Sequence, residues 1–206
     1  KRIYMNILFV RLSYIGDILH ATPAARWIKE HYPESKLHWI VTPSMVELLQ
    51  RNPYVDEIIP WERDEYEAHS KKLHLRTMWN MWWDLRKRLK PYHFDIAVDV
   101  QGRLITGLVL LASGAPIRLG LGGTKELNWL FTNYKSKNRS KHVIEQYLDV
   151  AKLLPGALNT ETIPVETKNM NLMDLIITAD EQQRAKFEVE TAFAEKDRPL
   201  IGLVLG

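Results

Sequence analysis

The chain has 206 residues, of which 46% are hydrophobic, so it is long enough for one well-packed domain and part of another. It contains no cysteine, which excludes a disulfide framework, thiolate catalysis and a cysteine-ligated metal site. Charged residues make up 26% of the sequence and leave a net charge of +3. This balance is typical of a folded protein with a mild preference for anionic partners.

No segment of the sequence has the properties of a membrane span or a leader peptide. The longest run without a charged residue, residues 104–117, is shorter than the ~20 residues that a spanning helix requires. The first residues lead directly into an apolar run and carry no separate signal region with a cleavage site. The sequence therefore predicts a cytoplasmic protein that can at most lie on the inner face of the membrane.

Apolar runs and helix-sized segments alternate along the chain. Five runs are typical of buried strands; they lie at residues 7–10, 36–41, 55–59, 94–99 and 117–120. Helices are predicted between and after them, and the first is expected to begin at Pro23 with Thr22 as its cap. Strands separated by helices imply βαβ units. The fold class predicted is α/β, with a Rossmann-like parallel sheet of about five strands flanked by helices.

The residues directly after the first strand form a polar turn that ends in Gly16 and Asp17. In an open α/β sheet ligands bind at the carboxyl ends of the strands, so Asp17 is expected at the binding edge. Two interpretations of Asp17 remain open. It could cap a helix or bond to the backbone of its own turn, or its carboxylate could act as a general base.

Residues 70–90 have the most unusual composition in the chain, because Asp84 is their only acid. Their cations are Lys71, Lys72, Arg76, Arg86, Lys87, Arg88 and Lys90. Apolar residues recur there at three- and four-residue spacing, which predicts an amphipathic helix. One interpretation is a surface helix with its tryptophans in the core. The other is a cationic wall for an anionic substrate, with Trp83 at a membrane interface.

Residues 11–24 read RLSYIGDILHATPA, and this pattern resembles the N-terminal signature of glycosyltransferase family 9. Members of that family are the heptosyltransferases that build the inner core of lipopolysaccharide. In the family, the aspartate that matches Asp17 is regarded as the catalytic base that deprotonates the acceptor hydroxyl. The resemblance also places Ser13 and Gly16 at the acceptor.

Further segments extend the resemblance to about residues 6–154. Residues 92–102 read YHFDIAVDVQG and are similar to a family strand that ends in Gln-Gly, although without the family the motif is a strand-ending turn. Lys125, after the Arg-Leu-Gly of residues 118–120, stands where many relatives carry arginine. The acceptor-binding residues that the resemblance implies are Ser13, Gly16, Arg63, Lys71, Lys72, Arg76, Gln101, Gly102 and Lys125.

Several motifs of other enzyme classes are absent from the sequence. It lacks the phosphate loop G-x-x-x-x-G-K-[ST], and the first turn lacks G-x-G-x-x-G. It contains no Asp-x-Asp pair for a metal-bound sugar nucleotide, no H-x-x-x-H metal pair and no G-x-S-x-G elbow. We therefore expect no cofactor, no metal site and no nucleic-acid partner.

The last residues predict the start of a second domain. Thr178 and Glu181 form a capping box for a helix over residues 179–194, and residues 200–205 read as a buried strand with no following partner. In the resembling family the second, donor-binding lobe of a GT-B enzyme begins here. The domains expected are residues 1–170, an acceptor-binding lobe, and residues 171–206, a linker, helix and first strand of a truncated donor lobe.

The function that the resemblance implies is an inverting, metal-independent glycosyltransferase. It would move a heptose or related sugar from an ADP-sugar to an anionic lipopolysaccharide-core acceptor, with Asp17 as the base, and residues 1–206 alone would be inactive. The alternative is a non-catalytic lobe that binds anionic glycolipid or a partner protein. A nucleotide-binding module of unrelated chemistry is disfavoured, because the phosphate loops are missing.

Overall fold

The computed structural model describes residues 4–71, 74–124, 126–137, 140–160 and 172–192. Contacts divide the chain into two units, Lys1–Leu175 and Ile176–Gly206. In the described part, no helix is both long enough and apolar enough to span a bilayer.

The first unit alternates strands and helices. Its strands are β1 (Asn6–Val10), β2 (Lys36–Val41), β3 (Glu57–Pro60), β4 (Ile96–Asp99), β5 (Ile117–Gly120) and β6 (Tyr134–Lys135). Its helices are α1 (Ile15–His31), α2 (Val46–Leu49), α3 (Arg63–Lys71), α4 (Leu75–Leu89), α5 (Leu104–Ser113), α6 (Val143–Ala151) and α7 (Leu154–Ala157). The second unit contains α8 (Ala179–Ala192).

All six strands are parallel and lie in the order β3-β2-β1-β4-β5-β6. In β1, Leu8 is in register with His38 of β2 on one side and with Ala97 of β4 on the other. The predicted parallel α/β sheet is therefore confirmed. The sixth strand was not predicted, since Tyr134 and Lys135 are only two residues and form no apolar run.

Helices cover both faces of the sheet, which explains why its strands lack polar alternation. Ile7 and Phe9 of β1 belong to the core that α1 and α6 cover. Leu8 and Val10 point the other way, into the core that α4 and α5 cover. Successive side chains of a strand alternate between faces, so β1 is fully buried in both layers.

The predicted start of the first helix is wrong. α1 begins at Ile15, so Pro23 lies inside the helix and Thr22 is not its cap. Proline has no N–H to donate to the carbonyl four residues earlier, and that carbonyl belongs to Leu19. The Thr22 hydroxyl donates to Leu19 O instead, at 2.8 Å, which lets the helix continue through the proline.

The amphipathic helix predicted within residues 70–90 is α4, but its tryptophans are not all in the core. Leu85 and Leu89 are buried, and Trp82 is half-buried with its indole N–H donating to Leu108 O at 2.9 Å. Trp79 and Trp83 remain 63% and 45% exposed.

The last two long helices, α6 and α8, each begin after a residue whose side chain caps the helix. His142 caps α6 by accepting from Ile144 N, and α6 ends at Ala151. In the second unit, the Thr178 hydroxyl accepts from Glu181 N and the Glu181 carboxylate accepts from Thr178 N. This is the predicted capping box. The strand predicted at residues 200–205 lies outside the described residues.

Candidate active site

The strand order creates a crevice between the carboxyl ends of β1 and β4. The chain leaves β1 for α1 on one face of the sheet and leaves β4 for α5 on the other face. Where neighbouring connections diverge in this way, an open α/β sheet forms its usual ligand crevice. Asp17 follows β1 and Gln101 follows β4, so both lie at this crevice.

Asp17 lies in the first turn of α1, where the helix dipole favours an acid. It is not the helix cap, because the N-cap residue is Tyr14 and no side chain caps it. The Arg11 guanidinium pairs with the Asp17 carboxylate. Arg11 is buried and stacks 5.7 Å from the centre of the Tyr147 ring, whereas the Asp17 side chain is 37% exposed. A buried cation therefore orients a carboxylate that solvent, or a ligand, can still reach.

Gly16 precedes Asp17 in the same turn. Apart from its chain neighbours and the backbone of its own helix, no atom lies within 4 Å of the position that a Cβ on Gly16 would occupy. The space beside Asp17 is therefore open on this side.

Ser13 is held in place from a distant part of the chain. Arg63, the first residue of α3, donates from Nη1 to Ser13 Oγ at 2.8 Å and from Nη2 to Glu67 Oε1 at 2.7 Å. Arg63 is only 4% exposed. The structure thus brings Arg63 to the loop after β1, where it fixes the position of Ser13. The carboxylate of Glu67 balances the positive charge of Arg63.

Gln101 and Gly102 form the turn after β4. The Gln101 Oε1 accepts from Leu12 N at 2.9 Å, which ties this turn to the loop after β1. Gly102 has a φ of +71°, and a Cβ there would lie 2.6 Å from Thr124 Cγ2. The turn therefore requires glycine for its backbone conformation and for its close packing.

Sequence reasoning missed Asp99, the last residue of β4. Its carboxylate is fully buried and accepts from Gln101 N at 2.8 Å, Gly102 N at 3.1 Å, and Thr106 Oγ1 and Asn128 Nδ2 at 2.7 Å each. Burial raises the pKa of the Asp99 carboxyl, and these hydrogen bonds oppose that rise. Asp99 therefore builds the Gln101–Gly102 turn. The sequence did contain a signal for Asp99, because it is an acid at the end of an otherwise apolar strand.

Of the other predicted acceptor residues, one lies on α4, and the side chains of the rest are not among those that the structure describes. Arg76 is exposed on α4. Lys72, Lys125 and the side chain of Lys71 lie outside the described residues. Among the residues with described side chains, no group of three or more His, Asp or Glu is placed to hold a metal ion.

Solved structures share the fold of this chain. Escherichia coli heptosyltransferase WaaC with ADP aligns with a TM-score of 0.60 and 21% identity, over 80% of this chain and 50% of its own. A glycosyl transferase of family 9 from Veillonella parvula aligns with a TM-score of 0.65 and 16% identity, over 98% of this chain and 54% of its own. The described fold is that of one lobe of a GT-B glycosyltransferase.

The family follows from the sequence match. The model of glycosyltransferase family 9 (heptosyltransferase) matches residues 82–206, which is more than half of the chain. This chain belongs to glycosyltransferase family 9, and the resemblance noted in the sequence is confirmed.

The curated relatives are longer than this chain. The lipopolysaccharide core heptosyltransferase OpsX of Haemophilus influenzae is 27% identical over 152 residues, which are 72% of this chain and 40% of OpsX. The chain thus spans less than half the length of this relative.

Proposed function

We propose that this chain is the acceptor-binding part of an inverting heptosyltransferase. The enzyme would transfer a heptose or related sugar from an ADP-sugar to an anionic acceptor of the lipopolysaccharide-core type, in the cytoplasm. Family membership supports the reaction class, and the ligand ADP-2-deoxy-2-fluoro heptose in E. coli WaaC supports the donor class. The observation that carries the proposal is the Asp17 carboxylate, oriented by Arg11 at the crevice between β1 and β4.

In the proposed reaction Asp17 is the general base. The acceptor hydroxyl gives its proton to the Asp17 carboxylate while its oxygen bonds to the anomeric carbon of the donor. The bond from that carbon to the phosphate oxygen breaks, and ADP leaves with the electron pair. Attack from the face opposite ADP inverts the anomeric configuration. A positioned base contributes about 10²–10⁴-fold to such a step, and the step as written uses no metal.

We assign acceptor contacts to two groups of residues. Ser13, Gly16, Gln101 and Gly102 border the crevice through the loops after β1 and β4. The cations Lys71, Lys72, Arg76 and Lys125 would bind anionic groups of the acceptor, since charged hydrogen bonds are the stronger ones for such groups. Arg63 would act indirectly, by holding Ser13.

The experiment that tests this proposal follows ADP release and product stereochemistry. The full-length protein is incubated with an ADP-heptose and a deacylated lipopolysaccharide-core acceptor, with and without EDTA. We expect acceptor-dependent ADP release in both reactions, and a product whose anomeric configuration by NMR is opposite to that of the donor. Retention of configuration or loss of activity in EDTA would contradict the proposed step. Absence of acceptor-dependent transfer would contradict the function.

A separate prediction concerns which of the two lobes binds the ADP-sugar donor. If the donor site lies mainly in the lobe that residues 171–206 begin, residues 1–206 alone should bind ADP-sugars very weakly and should not turn over. Titration calorimetry on this segment and on the full-length protein compares the two. Micromolar binding by residues 1–206, about 8 kcal/mol, would overturn the lobe assignment.

A further inference from the structure

Tyr14, the residue directly before α1, has a backbone conformation that is unusual for a residue with a side chain. Its φ is +68° and its ψ is +118°. Positive φ favours glycine, because the Cβ of any other residue crowds the backbone there, and a bulky residue with positive φ is an outlier. Such conformations cluster at active sites and ligand contacts. The retention of tyrosine at this position therefore points to a use for its ring.

The neighbouring chain imposes this conformation. Before Tyr14, the loop is held by the bond from Arg63 Nη1 to Ser13 Oγ, at 2.8 Å. After Tyr14, the helix begins at once, and Ile18 N donates to Tyr14 O at 3.0 Å. The backbone must turn from a fixed loop into a fixed helix within one residue, and that residue takes the positive φ.

The Tyr14 ring is supported by the protein on one side and open to solvent elsewhere. The guanidinium carbon of Arg63 lies 5.8 Å from the ring centre, within the range of a cation–π contact. Arg63 is 4% exposed, whereas Tyr14 is 62% exposed. A buried cation thus holds an exposed ring at the loop that follows β1.

The surface around the ring favours an uncharged ligand group. The charge of Arg63 is balanced by Glu67, whose Oε1 accepts from Nη2 at 2.7 Å. Ile15, the next residue in the chain, is 58% exposed. An aromatic ring presents the negative face of its π-system, and the weakly positive C–H groups on one face of a sugar ring match it. A phosphate or a carboxylate does not.

We propose that Tyr14 is the platform on which a sugar ring of the acceptor stacks. This inference rests on the proposed function, in which Asp17 takes the proton of the acceptor hydroxyl. Tyr14 is the N-cap of α1 and Asp17 lies three residues further on. Residues three apart on a helix surface are neighbours, with about 5–6 Å between their Cβ atoms. A sugar ring that presents its hydroxyl to Asp17 can therefore also meet the Tyr14 ring. Tyr14 would select the acceptor and would take no part in proton transfer.

Steady-state kinetics of Tyr14→Ala in the full-length protein test the proposal, with an ADP-heptose donor and a deacylated lipopolysaccharide-core acceptor. We expect the KM for the acceptor to rise about tenfold, because the stacking contact is lost. The kcat and the KM for the donor should change less than about threefold, since a contact made equally in the ground state and the transition state affects KM alone. Calorimetric titration with the acceptor alone should show the same loss as an increase in Kd.

Two further variants separate the ring from the backbone. Tyr14→Phe keeps the ring and should keep the acceptor KM within about threefold of that of the unmodified protein. Tyr14→Gly should raise the acceptor KM as alanine does, but it should melt at a higher temperature than Tyr14→Ala, because glycine adopts positive φ without crowding. A lower melting temperature for the glycine variant would remove the strain from which the inference starts, and would overturn it.

Tyr4→Ala is the matched control. Tyr4 is 63% exposed, but it precedes β1 and therefore lies at the opposite edge of the sheet. This variant should leave both KM values unchanged. An unchanged acceptor KM in Tyr14→Ala would overturn the inference and leave the proposed function standing. A rise in the donor KM instead would also overturn it, because the ring would then stack on the adenine of the donor. If the unmodified protein neither binds the acceptor nor transfers the sugar, the proposed function fails and this inference fails with it.

Discussion

Asp17→Asn is expected to lower kcat at least a hundredfold in the full-length protein, because a general base contributes about 10²–10⁴-fold to the rate. Asparagine keeps the shape of the side chain and an oxygen that can accept from Arg11, but it cannot take the acceptor's proton. Folding should change little, by about 1 kcal/mol or less, since the Asp17 side chain is 37% exposed. Steady-state kinetics and thermal melting of the same variant measure both effects.

Asp56→Asn is the matched control for this experiment. Asp56 is 38% exposed and pairs with Lys29 at 2.8 Å, so it resembles Asp17 in exposure and in having a cationic partner. It precedes β3 and therefore lies at the opposite edge of the sheet. This control should keep near-normal kcat. Near-normal turnover of Asp17→Asn itself would remove Asp17 from the mechanism.

Asp99→Ala is expected to lower the free energy of unfolding by about 2–6 kcal/mol, because each buried donor that loses its acceptor costs about 1–3 kcal/mol. The substitution leaves the N–H groups of Gln101 and Gly102 without their side-chain acceptor, whereas the Thr106 hydroxyl and the Asn128 amide keep the Arg103 carbonyl as an acceptor. Urea unfolding, monitored by tryptophan fluorescence, measures the loss as a shift of the midpoint.

The control for Asp99 is Asp95→Ala, in the same segment. Asp95 is exposed and accepts one bond, from Asn6 N at 2.8 Å, so its loss should cost only about 1 kcal/mol. A loss of similar size in both variants would contradict the structural role assigned to the buried Asp99 network.

The strands were predictable because burial on both faces gives each strand a nearly continuous apolar run in the sequence. The bounds of β2 and β5 coincide with the predicted runs at residues 36–41 and 117–120. The start of α1 was not predictable from local rules, since Pro23 normally marks the first turn of a helix. The hydroxyl of Thr22 reverses that rule by satisfying the Leu19 carbonyl, and residue type alone does not show this.

The position of the crevice could be predicted from the order of the strands, whereas the hydrogen bonds that hold its loops could not. Parallel strands end at one edge, so Asp17 and Gln101 could be placed near each other from chain order alone. The Ser13–Arg63 bond joins residues 50 positions apart, and the Asp99–Asn128 bond joins residues 29 apart. No local pattern reports such pairs, because each depends on how the completed sheet positions its loops.

The pairing of β1 with β4 also has a consequence for biosynthesis. Asp95 N donates to Asn6 O, across 89 positions of sequence, so β1 has one open side until β4 has been made. At about 5–20 residues per second, translation needs roughly 5–20 s to supply the missing strand. During that time the apolar β1 edge is exposed to other nascent chains. The native partner that covers this edge of β1 is therefore complete only after residue 99 has been made.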